Sequence, residues 1–159
     1  MKFWLMKSEP DEFSIDKLAR RGREPRSGVR NYQARNFMRA MQPGDGVLFY
    51  HSSTAVPGVV GLAEVMTEAY PDPTQFQKRS HYYDPKSSRE EPRWSLVDVG
   101  FKRKFDRIVT LEELKANADR LDGFGLLQRG SRLSVMPVST AQWKTILSLE
   151  QAAPTHVTK

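Results

Sequence analysis

Phe3-Trp4-Leu5-Met6-Lys7-Ser8-Glu9-Pro10 sets how the chain begins to fold. Four consecutive bulky apolar residues have strand composition. Ser8-Glu9-Pro10 stops the run, because proline lacks a backbone donor and biases the residue before it away from helix. Ser14 then stands where a hydroxyl caps a short helix that carries Ile15 and Leu18 on one face. Strand, turn and helix make the opening. Beyond it, residues 21–28 read as a basic loop rich in Gly and Pro, and Asn31 is placed to cap a second helix with Phe37, Met38 and Met41 at helical spacing. Pro43-Gly44-Asp45-Gly46 ends that helix.

Residues 47–51 and 58–66 read as two strands of a hairpin, with Gly61 marking a bulge or the close approach of another backbone. The segment 70–93 is rich in Pro, Asp, Ser and Lys yet holds Phe76, Tyr82 and Tyr83, so an ordered functional loop is expected. Residues 94–101 form a strand of alternating character. Thr110 with Glu113, and Ser139 with Gln142, fit capping boxes that start two further helices. Between them residues 132–136 read as a strand closed by Pro137, and the tail from 151 to 159 is expected to fray. Five or six short strands without regular strand-helix alternation argue against a doubly wound sheet. They predict one α+β domain over residues 1–150, a mixed, mostly antiparallel β-barrel with short peripheral helices.

The formal charge of +6 is concentrated. Residues 17–39 hold eight basic side chains (Lys17, Arg20, Arg21, Arg23, Arg26, Arg30, Arg35 and Arg39) against Glu24 alone, a local +7 that leaves the remainder at −1. Such a patch attracts phosphates through counterion release, and its plain alternative is a solvated helix face. With no cysteine and only His51, His81 and His156, no metal and no cofactor is expected. Neither a phosphate-cradling glycine loop nor a Gly-x-Ser-x-Gly elbow is present, so catalysis has no clear foothold. No apolar run approaches the roughly 18 residues of a membrane span, and the first is too short for a signal-peptide core, so a cytoplasmic protein is expected.

Several strings stand out: Trp4-Leu5-Met6-Lys7-Ser8-Glu9-Pro10, Gly28-Val29-Arg30-Asn31-Tyr32-Gln33-Ala34-Arg35-Asn36, Phe49-Tyr50-His51-Ser52, Glu68-Ala69-Tyr70-Pro71-Asp72 and Arg132-Leu133-Ser134-Val135-Met136-Pro137-Val138. Their order and spacing from about Phe3 to Leu149 resemble the EVE domain. The resemblance implies a PUA-like barrel related to YTH domains, and a non-enzymatic module that binds nucleic acid and reads a flipped base. Modified cytosine in DNA is favoured, and modified RNA is an alternative. Another PUA-like group, the ASCH domains, supplies an enzyme reading in which Lys7 and Glu9 hydrolyse acylated cytidine. A protein-docking adaptor, for instance to a restriction-system partner, is a third reading.

Reading one base requires stacking it on flat side chains and bonding its polar edge. The expected pocket therefore draws on Lys7, Ser8, Glu9 and Pro10 after the first strand, and on Arg30 and Asn31 before the second helix. Tyr50, His51 and Ser52 at a strand end, and Tyr82, Tyr83 and Trp94 as stacking surfaces, complete it. Each has a plain alternative: a turn for Ser8-Glu9-Pro10, a helix cap for Asn31, a satisfied histidine for His51 and core for Trp94. Arg20, Arg21, Arg23, Arg35 and Arg39 are the candidate phosphate contacts. One position of the expected pocket departs from the resemblance: many relatives carry tryptophan two residues before the Gly-Val-Arg-Asn string, where this chain has Arg26.

Overall fold

The computed structural model describes residues 1–153. Strand β1 (Phe3–Ser8) lies parallel to β3 (Gly46–His51) and antiparallel to β8 (Val135–Val138). Strand β4 (Gly58–Val65) pairs antiparallel with β3 and with the long β7 (Asp98–Thr110), whose far side takes the short β2 (Arg23–Pro25). The order β2-β7-β4-β3-β1-β8 is mostly antiparallel and curls as a half-barrel with β2 and β8 at its edges. Strands β5 (Tyr70–Pro71) and β6 (Ser95–Leu96) form a separate pair. Helices α1 (Ile15–Arg21), α2 (Tyr32–Ala40), α3 (Leu111–Ala116) and α4 (Thr140–Gln151) lie at the margins.

Two cores explain why β1 and β3 read as unbroken apolar runs. Trp4, Met6, Val47 and Phe49 pack with Leu18 and Met38 of α1 and α2, whereas Leu5, Leu48 and Tyr50 pack with Leu114 and Ile146 of α3 and α4. Successive strand side chains take opposite faces, so a sheet covered on both sides loses its polar alternation.

Local chemistry sets the boundaries. Ser14 Oγ accepts from the Lys17 N–H and Asn31 Oδ1 from the Ala34 N–H, while Ser139 and Gln142 form a reciprocal capping box. Thr110 caps α3, and the Glu113 carboxylate pairs with Arg107 at 2.7 Å. The β4·β7 register shifts between Val59 and Gly61, and a Cβ on Gly61 would lie 2.6 Å from the Arg103 carbonyl, matching the expected close approach.

Four boundaries correct the sequence reading. Residues 23–25 are a strand inside the presumed loop, their backbone paired with β7, and Pro25 is tolerated because β2 is an edge. The strand expected over 94–101 breaks at Val97, and β7 continues to Thr110. Strand β8 starts at Val135 and runs through Pro137 instead of ending there, again on an edge. Helix α4 includes Gln151, and residues 154–159 of the presumed tail lie outside the described residues.

Candidate nucleic-acid interface

The ends of β1 and β3 lie side by side, Lys7 against Tyr50 and Ser8 against His51, and two adjoining cavities open beside the β1 end. The smaller, about 140 Å³, is bordered by Pro25, Ser27, Phe49 and Val99 among others. The larger, about 270 Å³, is bordered by Lys7, Glu9, Gly28, Ser52, Arg132 and Ser134 among others. Ser8, Glu12, Phe13, Arg26 and Tyr82 border both. The residues that border both cavities therefore bring together two aromatic rings, a hydroxyl, a carboxylate and a guanidinium.

Ser8 Oγ donates to the Phe13 carbonyl at 2.5 Å. With its proton committed, the hydroxyl keeps lone pairs that can accept from a base amino group. Lys7 is half-buried, and burial pushes its pKa below the ordinary lysine value.

Tyr82 is held from behind. Arg30 donates from Nε and Nη2 to the Tyr82 carbonyl at 3.0 and 2.7 Å, and from Nη1 to Asp72 Oδ2 at 3.1 Å. Asp72 is wholly buried and also accepts from the Gly28 N–H, the Thr74 N–H and Thr74 Oγ1 at 2.8, 2.8 and 2.6 Å. Burial pushes its carboxyl up, but these bonds outweigh burial and leave the pKa below the usual carboxylate value. Gly28 has φ +86°, and a Cβ there would lie 2.6 Å from Tyr82 Cζ. Asp72 thus ties the turn at Gly28 to the 70–93 loop, and Gly28 gives the Tyr82 ring its seat.

Arg26 is fixed by its own backbone bond to the Val97 carbonyl and by side-chain bonds to the Lys7 and Ser27 carbonyls at 2.8 and 3.1 Å. Its Nε is buried without a partner. Burial lowers its pKa from the ordinary arginine value, against the opposing pull of Tyr82, Glu12 and Asp72.

Of the expected pocket residues, Lys7, Ser8, Glu9, Arg26, Ser52 and Tyr82 border the cavities. The others do not, for identifiable reasons. Arg30 spends its donors on Asp72, Thr74 and Tyr82, and the Asn31 amide oxygen caps α2. Tyr50 points into the α3/α4 core, while its neighbour Phe49 faces the site. Trp94 is buried, stacked on Tyr32 at 4.8 Å and bonded through Nε1 to Asp84. Tyr83 is exposed and Pro10 lies in the turn, away from both cavities. His51 Nε2 accepts from the Ile15 N–H at the start of α1.

Among the basic residues, Lys17 and Arg21 stand over the Phe13 ring at 5.8 and 5.7 Å, so α1 carries charge to the cavity edge. Arg21 is paired with Glu24 and Arg23 with Asp98, while Arg20 is exposed on α1. Arg35 and Arg39, expected as a phosphate-facing stripe, instead bond the Arg93 carbonyl and Ser95 Oγ and fasten α2 to that segment. Phe13, Glu12, Phe49, Arg132 and Ser134 were not foreseen. The one sequence signal for Phe13 is an apolar residue just before the Ser14 cap, where staple residues occur.

The His51 contact has a pH consequence. An accepting Nε2 requires the neutral ring, and burial lowers the His51 pKa below its ordinary 6.5. A lowered pKa means the unfolded chain binds the extra proton first, so stability is full above about pH 6.5 and falls as pH drops through the folded value. Urea denaturation should show this loss as pH drops below about 6.5, and His51→Gln should flatten that part of the profile.

The EVE domain family model matches residues 2–149. The chain belongs to the EVE domain family. Thymocyte nuclear protein 1 of Mus musculus is 45% identical across 96% of this EVE chain and 75% of its own length, and that of Homo sapiens is 43% identical across 95% and 75%. Among solved structures, a Pseudomonas syringae protein superposes with TM-score 0.90 at 51% identity, covering 93% of this chain and 99% of that one. The human THYN1 protein in complex with 5-methylcytosine-containing DNA superposes with TM-score 0.93 at 41% identity, covering 97% and 100%. An ASCH protein of Zymomonas mobilis shares the fold alone, with TM-score 0.52 at 12% identity over 94% and 99%. Among the described residues, no group of His, Cys, Asp and Glu is arranged to hold a metal, and no helix is long and apolar enough to cross a membrane.

Proposed function

We propose that this EVE chain is a non-enzymatic DNA reader that accepts a modified cytosine, turned out of the duplex, into the site bordered by Phe13, Tyr82, Ser8 and Arg26. The observation that carries the reading is the near-complete superposition on a relative in complex with DNA containing 5-methylcytosine. The local chemistry supports it: two rings offer stacking surface, and Ser8 Oγ offers an acceptor for the exocyclic amino group. Lys17 and Arg21 stand where a flanking phosphate can be held; Arg21 keeps its Nη1 on Glu24 and has further N–H donors for the phosphate.

The test is binding of matched duplexes, and of the corresponding RNA, with and without one modified cytosine. Modified DNA should bind tighter by about 1 to 3 kcal/mol, and equal affinity for modified and unmodified strands would end the reading. Replacing Lys17 and Arg21 together by Gln should flatten the log-log salt slope by about 1 to 2 units. An unchanged slope would remove α1 from the phosphate contact. Acylated cytidine should give no turnover; hydrolysis would support the enzyme alternative, whose Lys7 and Glu9 border the larger cavity.

A further inference from the structure

We infer that Arg26 makes this pocket select a cytosine whose C5 substituent is anionic, a carboxylate, over one that carries a methyl group. The inference rests on the base-reading function proposed above and concerns which modification fits. A guanidinium has five N–H donors. Here two are used, on the Lys7 and Ser27 carbonyls, and the buried Nε–H has no acceptor. Among the described residues, no carboxylate comes within ion-pair distance of Arg26: Glu24, on the same cavity, is paired with Arg21 at 2.6 Å, and Asp72 with Arg30 at 3.1 Å.

A fixed cation bordering both cavities is thus short of a counter-charge and of acceptors. Buried charge is costly until paired, so a ligand that supplies the missing anion gains what the protein itself withholds. A carboxylate matches the guanidinium in charge and planar geometry, whereas a methyl group offers no acceptor and displaces water from a charged surface. Glu12 also borders both cavities and opposes an anion, but it is solvent-exposed, which weakens its field relative to that of the immobilised Arg26.

The test compares duplexes with a single central cytosine, 5-methylcytosine or 5-carboxylcytosine, bound to the full chain and to Arg26→Met and Arg26→Lys. The wild type should prefer the carboxylated over the methylated duplex by about tenfold, in line with a charge-assisted bond. Arg26→Met should lose that preference, and Arg26→Lys, which keeps charge without the fork, should fall between. Equal or tighter binding of methylated DNA by the wild type overturns the inference and leaves the reader intact. Failure to distinguish either modified duplex from plain DNA overturns the reader, and the inference with it. Retention of the full preference in a folded Arg26→Met overturns the assignment to Arg26.

Discussion

Asp72→Ala is expected to destabilise the fold by about 3 kcal/mol and to erase discrimination between modified and plain DNA. The carboxylate is wholly buried and takes four bonds, from the Gly28 N–H, the Thr74 N–H, Thr74 Oγ1 and Arg30 Nη1. Removing it leaves the Gly28 donor and the Arg30 charge without their partner, and it is this orphaning that makes breaking a buried pair cost so much. The lower end of the usual range applies because the Arg30 side chain is 22% exposed and water can recover part of the loss. The turn at Gly28 and the 70–93 loop would no longer be joined there, so Tyr82 would lose its fixed place. Denaturant titration measures the first effect and matched-duplex binding the second. A loss below about 1 kcal/mol with selectivity intact would show that the loop holds itself without Asp72.

Gly28→Ala is expected to act more locally. At φ +86° an L side chain costs about 1 to 2 kcal/mol, and the added Cβ would lie within 2.6 Å of the Tyr82 ring. The backbone cannot swing away cheaply, because the Gly28 N–H is bonded to Asp72. The ring must move instead. If Tyr82 stacks on the base, affinity for modified DNA should drop by about 1 to 3 kcal/mol while affinity for plain DNA stays nearly constant. Thermal melting and the same binding pair separate the two components, and unchanged selectivity in a folded variant would take Tyr82 out of the recognition surface.

Much of the fold was legible because caps and turns are local. Ser14, Asn31 and Ser139 each stop the chain from continuing as it was and start a helix, by satisfying an amide that would otherwise be unpaired. Strand β7 was harder to see: Lys102, Lys104 and Asp106 interrupt its apolar residues, and it supports the α1/α2 core through Val99 but the α3/α4 core through Phe105.

The site was half legible for a similar reason. Ser8 belongs to a string whose resemblance pointed at a pocket, Arg26 stands two residues before another, and Tyr82 was expected as a stacking surface of the 70–93 loop; the cavities bring them together. Which of Phe49 and Tyr50 faces it cannot be read from a strand buried on both sides, since face parity shows only against a polar alternation. Arg30 and Asn31 carry the right donors for a base, yet the fold uses those donors itself, and only three-dimensional neighbours reveal that. Phe13 was not foreseen, because its neighbours in sequence are a turn and a cap.

The entry of a base into the site is tested most directly by placing 2-aminopurine beside a single modified cytosine in a duplex. Its fluorescence rises when the neighbouring base leaves the stack. Saturating the duplex with this protein should raise the signal, the unmodified duplex should respond far less, and Tyr82→Ala should suppress the rise while the protein still binds. Full binding of the modified duplex with no change in fluorescence would mean that the cytosine stays stacked and that the cavity between Ser8, Phe13, Arg26 and Tyr82 is not where it is read.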